Sequence, residues 1–437
     1  MSLDIADVLY VVPLIVIWFF YERRRRRKSH RNTVAKQTSI ESGLHEPASL
    51  HPAIDPGKCM GCGACVHACP EGQILGLING HAELLEPSSC IGHGACKAAC
   101  PFDAITLVFG SATRGVDLPV VGPDFQTNIP GIYVAGELGG MGLIRNAIEQ
   151  GKQAVGEIAG RTKGRASDFL DVVIVGAGPA GFSASLAAKQ KGLSFKTFDQ
   201  ESLGGTVAHF PRGKIVMSRP AQLPIVGQVE LDRSTKEDLL AFWSDVQNKT
   251  NLEINFNEPV NSIAAIDVGG PGFSVTTSRG TYRTRCILLC IGRRGSPRKL
   301  EVPGEDLSHV VYRLIDAEQY SNQKVVVVGG GDSAIEAAVS IAEQPGTTVT
   351  LSYRGEAFGR STAHNRSRIA PLIEAGRIRV LFKSVVKSIT SQAVEIEHAG
   401  QRDIVAAEAV VICAGGIVPS DFLKSFGIHI ETKYGTI

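Results

Sequence analysis

The sequence predicts an α/β protein of several domains: two Rossmann-like βαβ units, a small α+β domain and one N-terminal transmembrane helix. Three observations predict it. Glycine-rich turns follow apolar strands at Asp171–Gly181 and Lys324–Ala334, seven of ten cysteines fall between positions 59 and 100, and an apolar run near the N-terminus ends in five consecutive arginines. A length of 437 residues suggests about three domains, and a hydrophobic fraction of 43% fills several cores. The formal charge is +2, but residues 1–31 hold seven Lys/Arg against three Asp/Glu, leaving the remainder at −2. No global basic patch points to nucleic acid, which is not expected as a partner.

The N-terminal apolar run, Val8–Tyr21, spans 14 residues. As helix it is roughly 21 Å long against a bilayer core of about 30 Å. Adding Leu3–Ala6 and letting Arg23–Arg27 snorkel makes a short span. A cleaved signal would carry its positive charge before the apolar run, and here the order is reversed. The expectation is therefore an anchor at residues 1–28 and a linker at 29–54. The charge bias predicts a single-pass cell-membrane protein with its N-terminus outside and its catalytic domains in the cytoplasm.

The cysteines form two runs: Cys59, Cys62, Cys65 and Cys69 before Pro70, then Cys90, Cys96 and Cys100 before Pro101. Such spacing wraps a thiolate cage around an iron-sulfur cubane and sends the last cysteine of each run to the other cluster. A disulfide framework suits small secreted domains, and structural zinc favours well-separated cysteine pairs, so both fit poorly. Residues 55–110 resemble a bacterial two-cluster ferredoxin. That resemblance assigns Cys59, Cys62, Cys65 and Cys100 to one 4Fe-4S cluster, and Cys69, Cys90 and Cys96 to the other. His93 stands where a further cysteine belongs. Either it ligates, and a neutral imidazole raises that cluster's potential, or the second cluster is a 3Fe-4S centre or takes water.

In the first glycine turn, Gly176, Gly178 and Gly181, with Pro179 and Ala180, let the backbone approach a pyrophosphate at the start of a helix over 182–191. Asp199 ends the next strand, 18 residues past Gly181, where an acid meets a ribose hydroxyl. Gly204, Gly205 and Thr206 follow, as where a chain passes a flavin. The second turn carries Gly329, Gly331, Asp332, Ser333 and Ala334, then a helix over 335–343 and a strand over 347–352. No acid stands at that strand's tip, and Arg354 and Arg360 follow, which favours NADPH over NADH.

Residues 115–437 resemble the thioredoxin-reductase-like flavoproteins, in which an NAD(P) domain is inserted into an FAD domain. The crossing segment Leu288–Glu305, with Gly292, and the return Cys413–Pro419 carry the resemblance with the two turns. It implies an FAD domain at 168–297, an NAD(P) domain at 298–412 and a return to the FAD domain at 413–437. One segment is out of order. Thr127–Glu137, with Gly136 and Glu137, and the helical run 143–158 resemble the family's closing FAD segment, yet they precede Gly176. The expectation is a circular permutation, with 111–160 as the displaced segment and Gly160–Ser167 joining the old ends. Ile437 should then lie near residues 112–124, and Gly136 and Glu137 beside the Gly176 turn.

Family members that reduce disulfides carry a cysteine pair near one of the two turns, but residues 204–209 and 320–324 contain none. Cys286, Cys290 and Cys413 lie on apolar strands and read as core. His209, beside Phe210, reads as structural, and no catalytic side chain is assigned. The chain is thus expected to be a membrane-anchored NAD(P)H-dependent flavin and iron-sulfur oxidoreductase. Its electrons would pass between NAD(P)H and a cytochrome, quinone or ferredoxin-linked partner, in either direction, and a homodimer is expected. Two alternatives stand: a flavin-site reductase of a small substrate fed by the clusters, or a redox-sensing scaffold.

Overall fold

The structure, a computed structural model, describes residues 5–47, 50–70, 72–90, 92–111, 115–140, 142–162, 169–216, 220–229, 234–267, 272–293, 295, 297–359, 361–417 and 419–435. The chain divides into two compact units, one of residues 1–114, 356–364 and 434–437, the other of residues 115–355 and 365–433.

The first unit contains helix α1 (Ile5–Glu41), strand β1 (His51–Ile54), helix α2 (Ala64–Ala68), strands β2 (Leu75–Ile78) and β3 (His81–Leu84), helix α3 (Ala95–Ala98) and strand β4 (Ile105–Val108). β1 pairs antiparallel with β4, and β2 with β3. Glycine permits each short helix to start: Gly63 before α2 and Gly94 before α3 are both left-handed, at φ 77° and 75°. Cys65, Leu75, Ala82, Cys96 and Ile105 make the core. So small a core leaves much of the stability to cross-links or metal centres.

Helix α1 corrects the membrane expectation. Arginine, lysine, glutamate and glutamine are good helix formers, so the helix does not stop at the arginine run but continues to Glu41. Charge therefore follows the apolar stretch within the same helix, and among the described residues no helix is long and apolar enough to cross a membrane. The transmembrane helix and the single-pass cell-membrane localisation are overturned on that ground. Much of the expected linker is also helical. Asn32 is buried and its Nδ2 donates to Leu77 O at 3.0 Å, while Lys36 pairs with Glu83 at 2.5 Å, so the helix docks on the β2–β3 hairpin. A Cβ at Gly76 would lie 2.7 Å from Asn32 Nδ2, which explains a glycine in that strand. Leu14 to Tyr21 are all exposed.

The second unit begins with β5 (Val116–Pro119), β6 (Ile132–Val134), helix α4 (Ile144–Thr162), β7 (Leu170–Val175), helix α5 (Pro179–Lys191), β8 (Phe195–Phe198) and helix α6 (Lys236–Thr250). Its first sheet is organised around the long strand Thr281–Leu289. β7 runs parallel along one side of that strand, with β8 beyond it. On the other side β6 runs parallel to Ile287–Leu289, next to an antiparallel meander of Val260–Ile266 and Gly272–Thr277. β7 is apolar from Val172 onward because both faces are covered there: Val172 and Ile174 face a core with α4 and α5, while Val173 and Val175 face a core with Phe198 and Ile287. Helix α5 is buried along most of its length under α4.

The second sheet is wholly parallel, in the order Val310–Val311, Ala409–Ile412, Lys324–Val328, Thr348–Tyr353, Ile378–Phe382. Helix α7 (Asp332–Ala342) follows its central strand, and α8 (Ala363–Glu374) precedes its edge strand. The last strand, Ile430–Lys433, returns to pair antiparallel with β5, Lys433 opposite Val116. Ile437, residues 112–114 and 163–168, and Arg360 lie outside the described residues.

Candidate functional site

In the first unit, Cys59, Cys62, Cys65 and Cys100 ring a hollow whose wall includes Met60 and Phe102. Backbone amides point at two of these sulfurs: Ala82 N donates to Cys59 Sγ and Ala104 N to Cys100 Sγ, each at 3.4 Å. Such N–H···S contacts stabilise negative charge on a cluster's ligands. Burial first, then the neighbouring Cys59, push the Cys65 thiol up to about 11. Without a metal's positive charge the Cys65 thiol stays protonated at neutral pH, so its binding to a metal centre releases a proton. Cys96 is raised too, by burial first and also by Cys69, which stands close enough to act on it. Cys90 Sγ contacts Leu50 O at 3.8 Å, and His93 is half-buried in the loop leading to α3. Among the described residues no three ligating side chains converge as they would on a single metal ion. A ring of sulfurs around a hollow suits a cluster of several atoms.

In the second unit the first turn uses each glycine differently. Gly176 is at φ 103°, and a Cβ there would lie 2.5 Å from Cys290 O. A Cβ on Gly181 would lie 1.8 Å from Gly176 O, so this glycine lets α5 pack against the strand end. Gly178 is the open one, with only Gly205 Cα within reach of its Cβ, at 3.9 Å. A turn, a close packing and an open backbone face at a helix N-terminus together make a cradle for a pyrophosphate. Asp199 supports the turn: Oδ2 accepts from Ala177 N at 2.6 Å and Oδ1 from Glu201 N at 2.8 Å. Burial pushes its carboxyl above the usual range, against those hydrogen bonds.

Gly136 and Glu137 sit on this same turn. A Cβ on Gly136, at φ 84°, would lie 2.9 Å from Ala180 Cβ, and Gly136 N donates to Gln150 Oε1 at 2.8 Å. Arg293 feels both Glu137 and Asp117, although burial, the larger effect, lowers its pKa. Gly292 has open space where a Cβ would be. Gly205 opens the one-turn helix that holds Thr206, so these residues flank one cradle. Gln150 and Arg293 were not assigned from sequence. Only knowledge that α4 lies across α5 would have singled out Gln150.

The second turn repeats the plan. A Cβ on Gly329 would lie 2.4 Å from Cys413 O, whereas Gly331, which caps α7, faces open space. Asp332 starts α7 and its Oδ1 accepts from Asn365 at 2.7 Å, with Ser333 and Ala334 in the same first turn. Tyr353 occupies the strand tip where an acid is absent. Its ring would lie 2.4 Å from a Cβ on Gly330, so it covers the turn directly. Arg354 is exposed beside it. Neither Tyr353 nor Asn365 was assigned from sequence, since each acts through a contact distant in the chain.

The three remaining cysteines offer no dithiol in the described contacts. Cys290 is buried, and burial drives its thiol far above the usual range, which makes it inert. His209 is held by two charged partners. Its Nε2 donates to Glu201 Oε2 at 2.6 Å, and the Arg313 guanidinium donates to Nδ1. Burial, then Arg313, lower its pKa, so it is neutral at physiological pH.

Comparison with known proteins agrees with both halves of this geometry. A model of the pyridine nucleotide-disulphide oxidoreductases matches residues 173–436, and a model of the 4Fe-4S dicluster domain matches residues 51–101. A ferredoxin-NADP reductase from Ignicoccus hospitalis is 29% identical over 270 residues, covering 60% of this chain and 83% of that protein. The bacilliredoxin reductase Bdr of Bacillus subtilis is 28% identical over 273 residues, covering 60% and 82%. Among solved structures, a bacillithiol disulfide reductase from Staphylococcus aureus superposes with a TM-score of 0.54 at 25% identity, covering 61% of this chain and 82% of that one. The cradles and the sulfur cage fit the groups these families use. The chain belongs to the pyridine nucleotide-disulphide oxidoreductase family, as an FAD- and NADP-dependent oxidoreductase that also carries a 4Fe-4S dicluster domain.

Proposed function

We propose that this oxidoreductase connects NADPH to a one-electron partner, a cytochrome, quinone or ferredoxin-linked protein, or runs the same path in reverse. The bound groups would supply the chemistry: hydride exchange between nicotinamide and FAD, with the two electrons then carried singly by the iron-sulfur centres. The observation that carries the reading is a two-electron cradle at Gly178 in the same chain as a sulfur cage at Cys59, Cys62, Cys65 and Cys100. The chain's own residues bind and position. Gly176, Gly178, Gly181 and Asp199, with Gly136, Glu137, Gly204, Gly205, Thr206 and Gly292, would hold the FAD. Gly329, Gly331, Asp332, Ser333 and Ala334 would hold the nicotinamide cofactor's pyrophosphate, and Arg354 its 2′-phosphate. The buried, strongly raised thiol of Cys290 supports an outlet through clusters rather than through a protein dithiol.

The segment order supports a permuted family member. β6 lies in the sheet of β7, Gly136 lies against Ala180, and Ile430–Lys433 pairs with β5. On this reading residues 111–160 complete the FAD domain of 168–297 and 413–437, and residues 55–110 are inserted at the new opening.

Replacement of Gly176 by alanine tests the path, because the added Cβ meets Cys290 O at 2.5 Å. NADPH-driven reduction of the clusters, followed by their electron paramagnetic resonance, should be lost, while dithionite should still reduce them. Reduction by NADPH at the wild-type rate in a flavin-depleted variant would remove the flavin from the path.

A further inference from the structure

We infer that His93 is an iron ligand of the second cluster, in the place that Cys62 takes at the first. The inference rests on the two-cluster reading of residues 55–110 and goes beyond it, because it names a ligand that the cysteine spacing lacks.

The two halves of the cysteine region repeat one backbone. Gly61 and Gly63 have φ 64° and 77°, and Gly92 and Gly94 have φ 79° and 75°. The second glycine of each pair caps a short helix, and in that helix the buried residue is a cysteine, Cys65 in α2 and Cys96 in α3. With these landmarks aligned, Cys59 matches Cys90, Cys65 matches Cys96 and Cys69 matches Cys100. The residue between the two left-handed glycines is Cys62 in one half and His93 in the other.

Where the backbone on either side is the same, the Cα–Cβ bond of the residue between the two glycines leaves the turn in the same direction. In the first half that turn delivers Cys62 to the wall of the sulfur hollow, with Cys59, Cys65 and Cys100. By the same repeat, His93 would leave its turn on the side that carries Cys90 and Cys96. The backbone around it is confined: a Cβ on Gly92 would lie 2.9 Å from Leu50 O, and one on Gly94 would lie 3.3 Å from Leu107 Cδ1. Imidazole is a competent iron ligand, as in clusters where histidines replace cysteines on one iron. It is neutral where thiolate is charged, so the cluster it completes carries one less negative charge and is reduced more easily than its four-thiolate neighbour. The two centres then differ in potential through one ligand, although their backbones match.

The test uses the full-length holoprotein, loaded anaerobically, with iron counting, pulsed electron paramagnetic resonance and a potentiometric titration. About eight irons per chain are expected, with one cluster strongly coupled to an imidazole nitrogen. In His93→Cys that coupling should vanish and the same cluster should move to lower potential, toward its neighbour. In Cys62→His a second nitrogen-coupled cluster should appear. His93→Ala should lose an iron and show a three-iron signal when oxidised; should that variant fail to load, His93→Cys still decides the matter. Eight irons with no imidazole coupling and potentials unmoved in His93→Cys would overturn the inference while leaving the two-cluster reading intact. A three-iron signal in the wild-type protein would overturn it as well. A chain that binds no iron and sulfide would remove the two-cluster reading itself.

Discussion

A methyl group added at Gly178 meets nothing closer than Gly205 Cα, at 3.9 Å, whereas one added at Gly181 lands 1.8 Å from Gly176 O. Gly178 has φ −70°, which any residue adopts, so its glycine answers to a ligand and not to the fold. Gly178→Ala should keep the wild-type melting temperature without cofactor and lose FAD on gel filtration. Gly181→Ala should cost about 1–3 kcal/mol of stability through overpacking, with or without cofactor. Equal effects of the two substitutions on both readouts would refute this division of roles. The spacing of these glycines made the turn legible in the sequence, because each need is local. Gly151 was not legible. A Cβ there would lie 2.1 Å from Ala180 O, a requirement set by α4 crossing α5, and nothing in the sequence around Gly151 records that crossing. His93 lies between these cases, since its place follows from a local repeat that becomes persuasive only once the glycine φ angles are known.

Among the elements, α1 shows how an apolar run misleads when its continuation is ignored. The run is real, but helix propensity carries the same helix on through the arginines to Asn32 and Lys36, which bind the β2–β3 hairpin. The crossing segment after Thr281–Leu289 was legible as a connection, yet its anchoring was not. Glu305 is 6% exposed, with Oε1 accepting from Leu300 N at 2.5 Å and from Tyr312 Oη at 2.8 Å, and Oε2 from Glu301 N at 2.7 Å. Burial alone would raise its pKa, but the hydrogen bonds from Leu300, Tyr312 and Glu301 outweigh it and hold the carboxyl below its ordinary value. A carboxylate with a lowered folded pKa binds fewer protons in the folded than in the unfolded chain. Its contribution is full above the unfolded value of about 4.3 and is lost as pH falls through the folded pKa. Thermal melts of wild type and Glu305→Gln should therefore differ most above about pH 5 and converge on acidification. A gap independent of pH would assign Glu305 a purely steric role.

At the scale of the whole molecule, the proposed permutation makes a claim that experiment can reverse. Strand pairing depends on which segments meet, while the cost of closing a loop grows only slowly with its length, so a joint can be moved without remaking the core. Lys433 lies opposite Val116 in an antiparallel pair, so a turn of two to four residues could join them directly. α4 and β7 are joined through residues 163–168, whose sequence is Lys-Gly-Arg-Ala-Ser-Asp, polar and suited to becoming two termini. A chain that starts at Leu170, runs to Lys433 and continues through such a turn into Val116–Thr162 should fold and retain FAD, because β6 can still reach Ile287–Leu289 and Gly136 can still reach Ala180. NADPH should bleach its flavin, and no iron-sulfur signal should appear, since residues 55–110 are absent. A folded, monodisperse product that never binds flavin would show that residues 116–162 complete the site only in their present order, and the permutation would fall with it.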